Sequence, residues 1–212
     1  VVDYNARRYP DIIRKIAKAG HEIALHGYFH DPVNRQTPAL FFKEMSLAKK
    51  ILEDLNEKAI IGFRAPNWSI NQSSIWALNI LLELGFRYDA SMDYSVCRKI
   101  SGKMFGELKE IPRSSFSFLG VDIPFGGGFF LRAFPYFLTK FLTQRINYRG
   151  KRTVVYIHTW EFAMNLPCVR LPLKERLIHS WRLPKTRRVL LAMMHDFNFA
   201  SIQEIYFSEY LT

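Results

Sequence analysis

Apolar residues recur along this chain with two periods, and the alternation between them predicts a fold. After Pro10, Ile12, Ile13, Ile16 and Ala17 mark one face of a short helix that Gly20 would stop. EIAL, at 22–25, reads as a short strand. A longer helix opens at Pro38, where Phe41, Met45, Ala48, Leu52 and Leu55 step by four and three into a continuous stripe. AIIGF is a strand running into RAPNWS. Ile75, Leu78 and Leu82 predict a helix capped by Ser73 or Ser74 and ended at Gly85, and FRYDAS is a further short strand. From Val96 to Phe125 the pattern predicts short β segments, including FSFLG and VDIPF around Gly120. GGG at 126–128 is a flexible or tightly turned loop. A helix from Pro135 to Asn147 follows. TVVYIH, 153–158, has the β-branched and aromatic content of a buried strand, and two helices complete the pattern, around Leu173–Trp181 and Lys185–Phe197.

Strand–helix alternation of this kind predicts a parallel sheet or barrel with helices outside, and such folds collect their chemistry at the carboxyl ends of strands. Three predicted strands run into reactive residues: His26, Arg64 and His158. His26 and His30 are four apart, which on a helical turn brings both imidazoles within reach of one cation. The same spacing also suits capping or surface histidines. Arg64 precedes Pro66, whose fixed φ would hold the loop rigid, and an Arg there can grip a carboxylate. His158 is either a core histidine or a general acid that titrates near neutral pH. Trp160 and Glu161 follow it, a Trp–acid pair suited to sugar contacts. His21, His179 and His195 read as structural.

Length and composition narrow the class. The 212 residues suffice for one domain with a full core, and 49% apolar with 15% aromatic content marks a globular chain. No apolar run reaches about 18 residues, so nothing predicts a membrane span. The net charge of +11 reads as a solvated basic surface, spread along the chain apart from Lys185, Arg187 and Arg188. It fits an anionic glycan, an anionic membrane face or nucleic acid and selects none, and no nucleic-acid motif accompanies it. Cys97 and Cys168 have no metal-type spacing. The opening VVDYNARRYP has no Met and no signal peptide, and Val1-Val2 reads as the tail of a strand already under way.

Taken in order, GHEIALHGYFHD, GFRAPNWSI, VDIPFGGGFFLRAFPY and VVYIHTWEF resemble the polysaccharide deacetylases with the NodB-homology domain, carbohydrate esterase family four. The similarity is to the branch found with bacterial exopolysaccharide and exosortase systems, and RLIHSWRL and MMHDFNFASIQEI resemble that branch's tail. The resemblance implies an α/β fold, a distorted (β/α) barrel, here lacking its first strand. It implies a single domain over residues 1–212, truncated at the amino terminus, and a divalent metal, zinc above all, held by His26 and His30. It further implies that Arg64 steadies a catalytic carboxylate, that the Asn67 N–H serves the oxyanion, that His158 is the general acid and that Tyr156 lines the acetyl pocket. From position, Trp160, Glu161 and the Gly126–Arg132 loop, with Arg132, are expected to contact glycan. The sequence departs from the family in four ways. No residue matches its first motif with two aspartates, which would precede Val1. Asn67 stands for an aromatic residue, Tyr156 for Leu and Gly27 for Ser or Thr. No Trp matches its fourth motif near Tyr88-Asp89.

The expected reaction is metal-assisted removal of acetyl groups from N-acetylated sugars of a bacterial polysaccharide, in exopolysaccharide biosynthesis, with the chain as given inactive for want of the aspartates. The expected partner is an N-acetylated polysaccharide or oligosaccharide, not nucleic acid. The expected compartment is bacterial: cytoplasmic, peripheral at the inner membrane, or periplasmic. The rivals are a non-catalytic glycan-binding relative, a basic protein binding nucleic acid or anionic lipid, and an amidase acting on a small cyclic amide. The deacetylase reading requires His26, His30 and His158 to share one rim.

Overall fold

The computed structural model describes residues 1–100, 106–163 and 172–208, so Cys168 lies outside the described residues. The elements run α1 (Asp3–Arg8), α2 (Pro10–Lys18), α3 (Pro38–Asn56), β1 (Gly62–Phe63), α4 (Trp76–Glu83), β2 (Tyr88–Asp89), α5 (Tyr94–Ile100) and β3 (Lys109–Glu110). There follow β4 (Ser115–Phe118), β5 (Val121–Pro124), α6 (Phe129–Ala133), α7 (Tyr136–Tyr148), α8 (Leu173–Ser180), α9 (Leu183–Asp196) and α10 (Ile202–Tyr206). They form two compact units, Val1–Pro112 with Ala200–Thr212, and Arg113–Phe199.

The first unit is α/β. Its strands β1, β2 and β3 pair in parallel, with Phe63 beside Asp89 and Asp89 beside Glu110. Leu25 extends this ladder by a parallel bridge to Phe63: its N–H donates to Gly62 O at 2.9 Å, and the Arg64 N–H donates to Leu25 O at 3.0 Å. On the far side of Leu25, the Val1 amine donates to Ala24 O at 2.5 Å and the His26 N–H to Val1 O at 2.6 Å. The expected strands at 22–25 and 59–63 are therefore present as short pairings that carry His26 and Arg64 at their carboxyl ends. Among the described residues the sheet does not close into a barrel.

The helix α3 covers this sheet. Pro38 occupies its first turn, the Thr37 hydroxyl accepts the Leu40 N–H, and Glu57 ends it in the left-handed region. Phe41, Met45, Ala48 and Leu52 are fully buried, and Leu55 is half-buried at the edge of the core. Burying each large member of that stripe stabilises the fold by about 2 kcal/mol. Phe41 meets Phe63 and Trp76 edge to face. Several expectations need correction. On α2 only Ile13 is buried, while Ile12 and Ile16 are exposed. On α4 Leu81 replaces Leu82 in the core, and no serine side chain caps the helix; Ser74 instead ties Asn71 N–H to Ser69 O. α5 occupies the start of the expected β region.

The second unit holds the β4–β5 hairpin, in register from Ser115↔Pro124 to Phe118↔Val121. Leu119 and Gly120 at its tip both have positive φ, as a two-residue hairpin turn requires. Residues 153–158 are not a strand: one parallel bridge joins Tyr156 to Gly127, and the side chains are half-buried. The reason is the glycine run. The Tyr156 N–H donates to Gly126 O at 3.0 Å and the Gly128 N–H to Tyr156 O at 3.1 Å, which brings the two backbones so close that a Cβ on Gly126 would lie 2.2 Å from Val154 O, and one on Gly127 2.2 Å from Tyr156 O. GGG is thus a close crossing of two chain segments. Leu131, Val189 and Met193 form the core of this unit. Its charge is lopsided: residues 113–199 carry 14 Lys and Arg against 4 Asp and Glu, a net +10 of the chain's +11. The basic excess is not dispersed, as the linear sequence suggests, but belongs to one unit.

Candidate active site

In the first unit the structure brings His26, His30 and Arg64 together. His26 Nδ1 lies 2.6 Å from Arg64 O. A carbonyl only accepts, so Nδ1 carries the hydrogen and Nε2 keeps its lone pair. Burial lowers the His26 pKa to about 4, against the opposing effect of that hydrogen bond, so the ring is neutral at pH 7. The His30 ring stands edge-on to it, centroids 5.0 Å apart. The turn between them depends on Gly27, whose φ of +83° suits glycine and whose added Cβ would press on Pro66 at 3.2 Å. This explains a glycine at a position where the family resemblance leads one to expect Ser or Thr. His30 itself has φ 69°, a cost of roughly 1–3 kcal/mol that concentrates at functional sites.

Arg64 Nε donates to Ala90 O at 3.0 Å, and its guanidinium lies 5.3 Å from the Trp68 ring centroid. Beyond Pro66, Asn67 and Trp68 both sit in the left-handed region, at φ 56° and 54°. Asn tolerates that conformation, and it is exposed there, where a donor to an oxyanion would be needed.

The linear sequence gave no sign of one pair. Asp89 and Glu110 are register partners on β2 and β3 and both are deeply buried. Asp89 bonds the Ser91 hydroxyl, which accepts the Ala65 N–H at 2.6 Å, and Glu110 accepts the Met92 N–H at 3.0 Å. Asp89 Oδ2 and Glu110 Oε2 find no partner among the other described residues, and a hydrogen bond between the two carboxyls requires that they share a proton. Burial raises Asp89 to about 6, with the hydrogen bonds from Glu110 and Ser91 and the charge of Arg64 opposing, and burial together with Asp89 raises Glu110 well above the usual range.

The second unit gathers the other expected residues. Tyr156 meets the His158 ring edge-on at 6.2 Å, and Trp160 stacks on it at 5.5 Å. Trp160 also touches His179 on α8, centroids 5.0 Å apart. Glu161 and Arg132 do not fit the role of glycan contacts. Their side chains are fully buried and paired with each other. Arg132 spends its other N–H groups on Trp181 O at 2.9 Å and Ile178 O at 2.6 Å. Glu161 reaches back to His158, whose N–H and Nδ1 lie 3.0 and 2.9 Å from Oε1.

A divalent metal would find His26 and His30 suitable: one ring is neutral with its Nδ1 already committed to a carbonyl, the usual outer-sphere arrangement of a metal-bound histidine. They supply two positions of a tetrahedral shell. Among the described residues no group of three or more His, Cys, Asp or Glu is arranged around a cation.

Comparison with known proteins finds two matching families. Residues 1–88 fit the polysaccharide deacetylase profile, and residues 89–207 fit a second, a domain of unknown function, DUF3473. Their border falls inside β2, so it does not coincide with the border between the compact units. The peptidoglycan deacetylase-like protein FGM2 of Gibberella zeae is 32% identical over 89 residues, 42% of this chain and 25% of that protein. The peptidoglycan deacetylase of Helicobacter pylori is 28% identical over 89 residues, 42% of this chain and 29% of that protein. The matched stretch is thus little more than a quarter of either relative's length. A Mycobacterium smegmatis structure assigned to the polysaccharide deacetylases superposes with TM-score 0.57 at 24% identity, covering 97% of this chain and 68% of that one, which establishes the shared α/β fold. The chain belongs to the family described as a domain of unknown function, DUF3473, which matches residues 89–207, and its first 88 residues are similar to the polysaccharide deacetylases.

Proposed function

We propose that this protein is a metal-dependent hydrolase that removes acetyl groups from N-acetylated sugars of a bacterial polysaccharide, in exopolysaccharide biosynthesis. The observation that carries the reading is the neutral His26, its Nε2 lone pair free and its ring beside His30, at a strand end within the deacetylase segment. His26 and His30 would hold the cation, most suitably Zn²⁺; once bound, it polarises the acetyl carbonyl and acidifies a water. The protein's own residues do the rest. The Asn67 N–H would donate to the carbonyl oxygen as it gains charge, worth ~3 kcal/mol for one such donor. Arg64 would hold a catalytic carboxylate. His158 would pass a proton to the departing nitrogen as the C–N bond breaks, leaving acetate and an amino sugar. Tyr156 and Trp160 offer the aromatic surface that a sugar or acetyl group packs on. No residue of these 212 matches the family's aspartate motif, and we infer that the chain as given, without that acceptor for the water's proton, is inactive.

The test is acetate release from N-acetylglucosamine oligomers by the full gene product, with and without chelator. Chelation should abolish release and Zn²⁺ restore it, and His26→Ala or His30→Ala should each lower turnover by about a hundredfold or more. Release indifferent to chelator and to both substitutions would sink the proposal. Oligosaccharide binding with no release would place the protein with non-catalytic glycan binders instead.

A further inference from the structure

Glu161 occupies an unusual position for a residue expected to face a sugar. It is the third residue of the 3₁₀ turn Thr159–Phe162, and its side chain folds back onto the residue that starts the turn. Oε1 accepts from the His158 N–H at 3.0 Å and from Nδ1 at 2.9 Å. Oε2 accepts from Arg132 Nη1 and from the Thr186 hydroxyl, the latter at 3.3 Å. Arg132 is in turn fixed by two carbonyls before and at the end of α8, and Thr186 lies on α9. Both carboxylate oxygens are therefore committed, from three elements, and the group is fully buried with no room to swing. His158 is the opposite case: its side chain is half-exposed. With Nδ1 turned to the carboxylate, the Nε2 edge is the one left to meet a substrate.

We propose that Glu161, clamped by Arg132 and Thr186, is a positioning residue for His158: it fixes the ring with Nδ1 protonated and Nε2 outward. This rests on the reading of His158 as proton donor. A neutral His whose Nδ1 hydrogen is held by a buried anion gains its second proton at Nε2, the atom a leaving nitrogen would reach. The carboxylate is kept ionised for this purpose: burial alone would raise its pKa, but the hydrogen bonds from His158 and the charge of Arg132 outweigh burial and hold it below the usual range. The other titratable or charged groups near the ring are Tyr156, edge-on, and His179 and Arg132, both against Trp160.

Glu161→Ala and Glu161→Gln test this, because the amide oxygen of Gln can still accept both His158 N–H groups and the methyl of Ala cannot. In intact protein labelled with ¹⁵N-histidine, with His158 assigned by His158→Asn, the neutral wild-type ring should show the Nδ1–H tautomer. Glu161→Ala should move most of the population to the Nε2–H tautomer, and Glu161→Gln should keep Nδ1–H. An Nδ1–H tautomer unchanged in Glu161→Ala would overturn the inference. Should that variant prove too unstable to assign, an Nε2–H tautomer in the wild type overturns it equally. The readout needs no turnover. The Nε2–H tautomer in Glu161→Ala together with full acetate release by His158→Asn would leave the positioning role standing and remove His158 as the proton donor.

Discussion

Asp89 and Glu110 set the pH response of the first unit. Both carboxyls titrate above their ordinary values in the folded chain, so between about pH 4 and 6 the native state binds more protons than the unfolded state. Stability that the shared proton confers is full below the unfolded values and is lost as pH rises through the folded ones. Glu110→Gln should reverse that loss: its amide oxygen can still accept the Met92 N–H, and its NH₂ can donate to Asp89 Oδ2. We expect urea unfolding at pH 8 to show a gain of about 1–3 kcal/mol, the cost of an unsatisfied buried acceptor, and a flatter profile across pH 4–6. A loss of stability at pH 8 would mean that the two carboxyls do not face each other. His26, His30 and Arg64 were legible in the linear sequence because each follows a strand within a recognisable run. Asp89 and Glu110 were not, because 21 residues separate them and only the β2–β3 register makes them neighbours. Glu161 and Arg132 were picked out for the wrong reason: a charged residue beside a Trp looks like a sugar contact until its burial is known.

At the scale of elements, α3 was readable because its apolar stripe and proline start agree. The segment 153–158 was misread for a physical reason. β-branched and aromatic content measures the fit to a half-buried pleated surface, and here that surface is met by a glycine backbone crossing rather than by a strand. Gly127→Ala should therefore be costly. Its Cβ would sit against the Tyr156 carbonyl and 2.5 Å from ring atoms of the same residue. Because backbone rather than a flexible side-chain end lies in the way, a loss of about 1–3 kcal/mol or more is expected by thermal unfolding. Gly120→Ala, at the hairpin tip with nothing within 4 Å, serves as the control for open space and carries only the strain of its positive φ. Equal stability in Gly127→Ala and wild type would refute the close crossing.

At the scale of the molecule, the α/β class, the longer helices and the likeness to the polysaccharide deacetylases were legible, but the charge distribution was not: a count along the chain conceals that residues 113–199 hold +10 and the rest +1. Among the described residues no helix is long and apolar enough to cross a membrane. The protein's affinity for an anionic oligosaccharide should fall by about tenfold or more between ~0.05 and ~0.5 M salt, as the Debye length shrinks to a few ångströms. Affinity for a neutral N-acetylglucosamine oligomer should barely change. Equal salt dependence for both ligands would show that the excess charge plays no part in recognition.

The same asymmetry bears on what happens after a cut. Removing an acetyl group turns a neutral amide into an amine that takes up a proton, so a glycan acquires positive charge wherever it has been trimmed. A strongly basic unit repels such a chain more with every amine exposed. Under the proposed reaction, the polymer would drift away after few events, leaving free amines scattered along it instead of gathered in blocks.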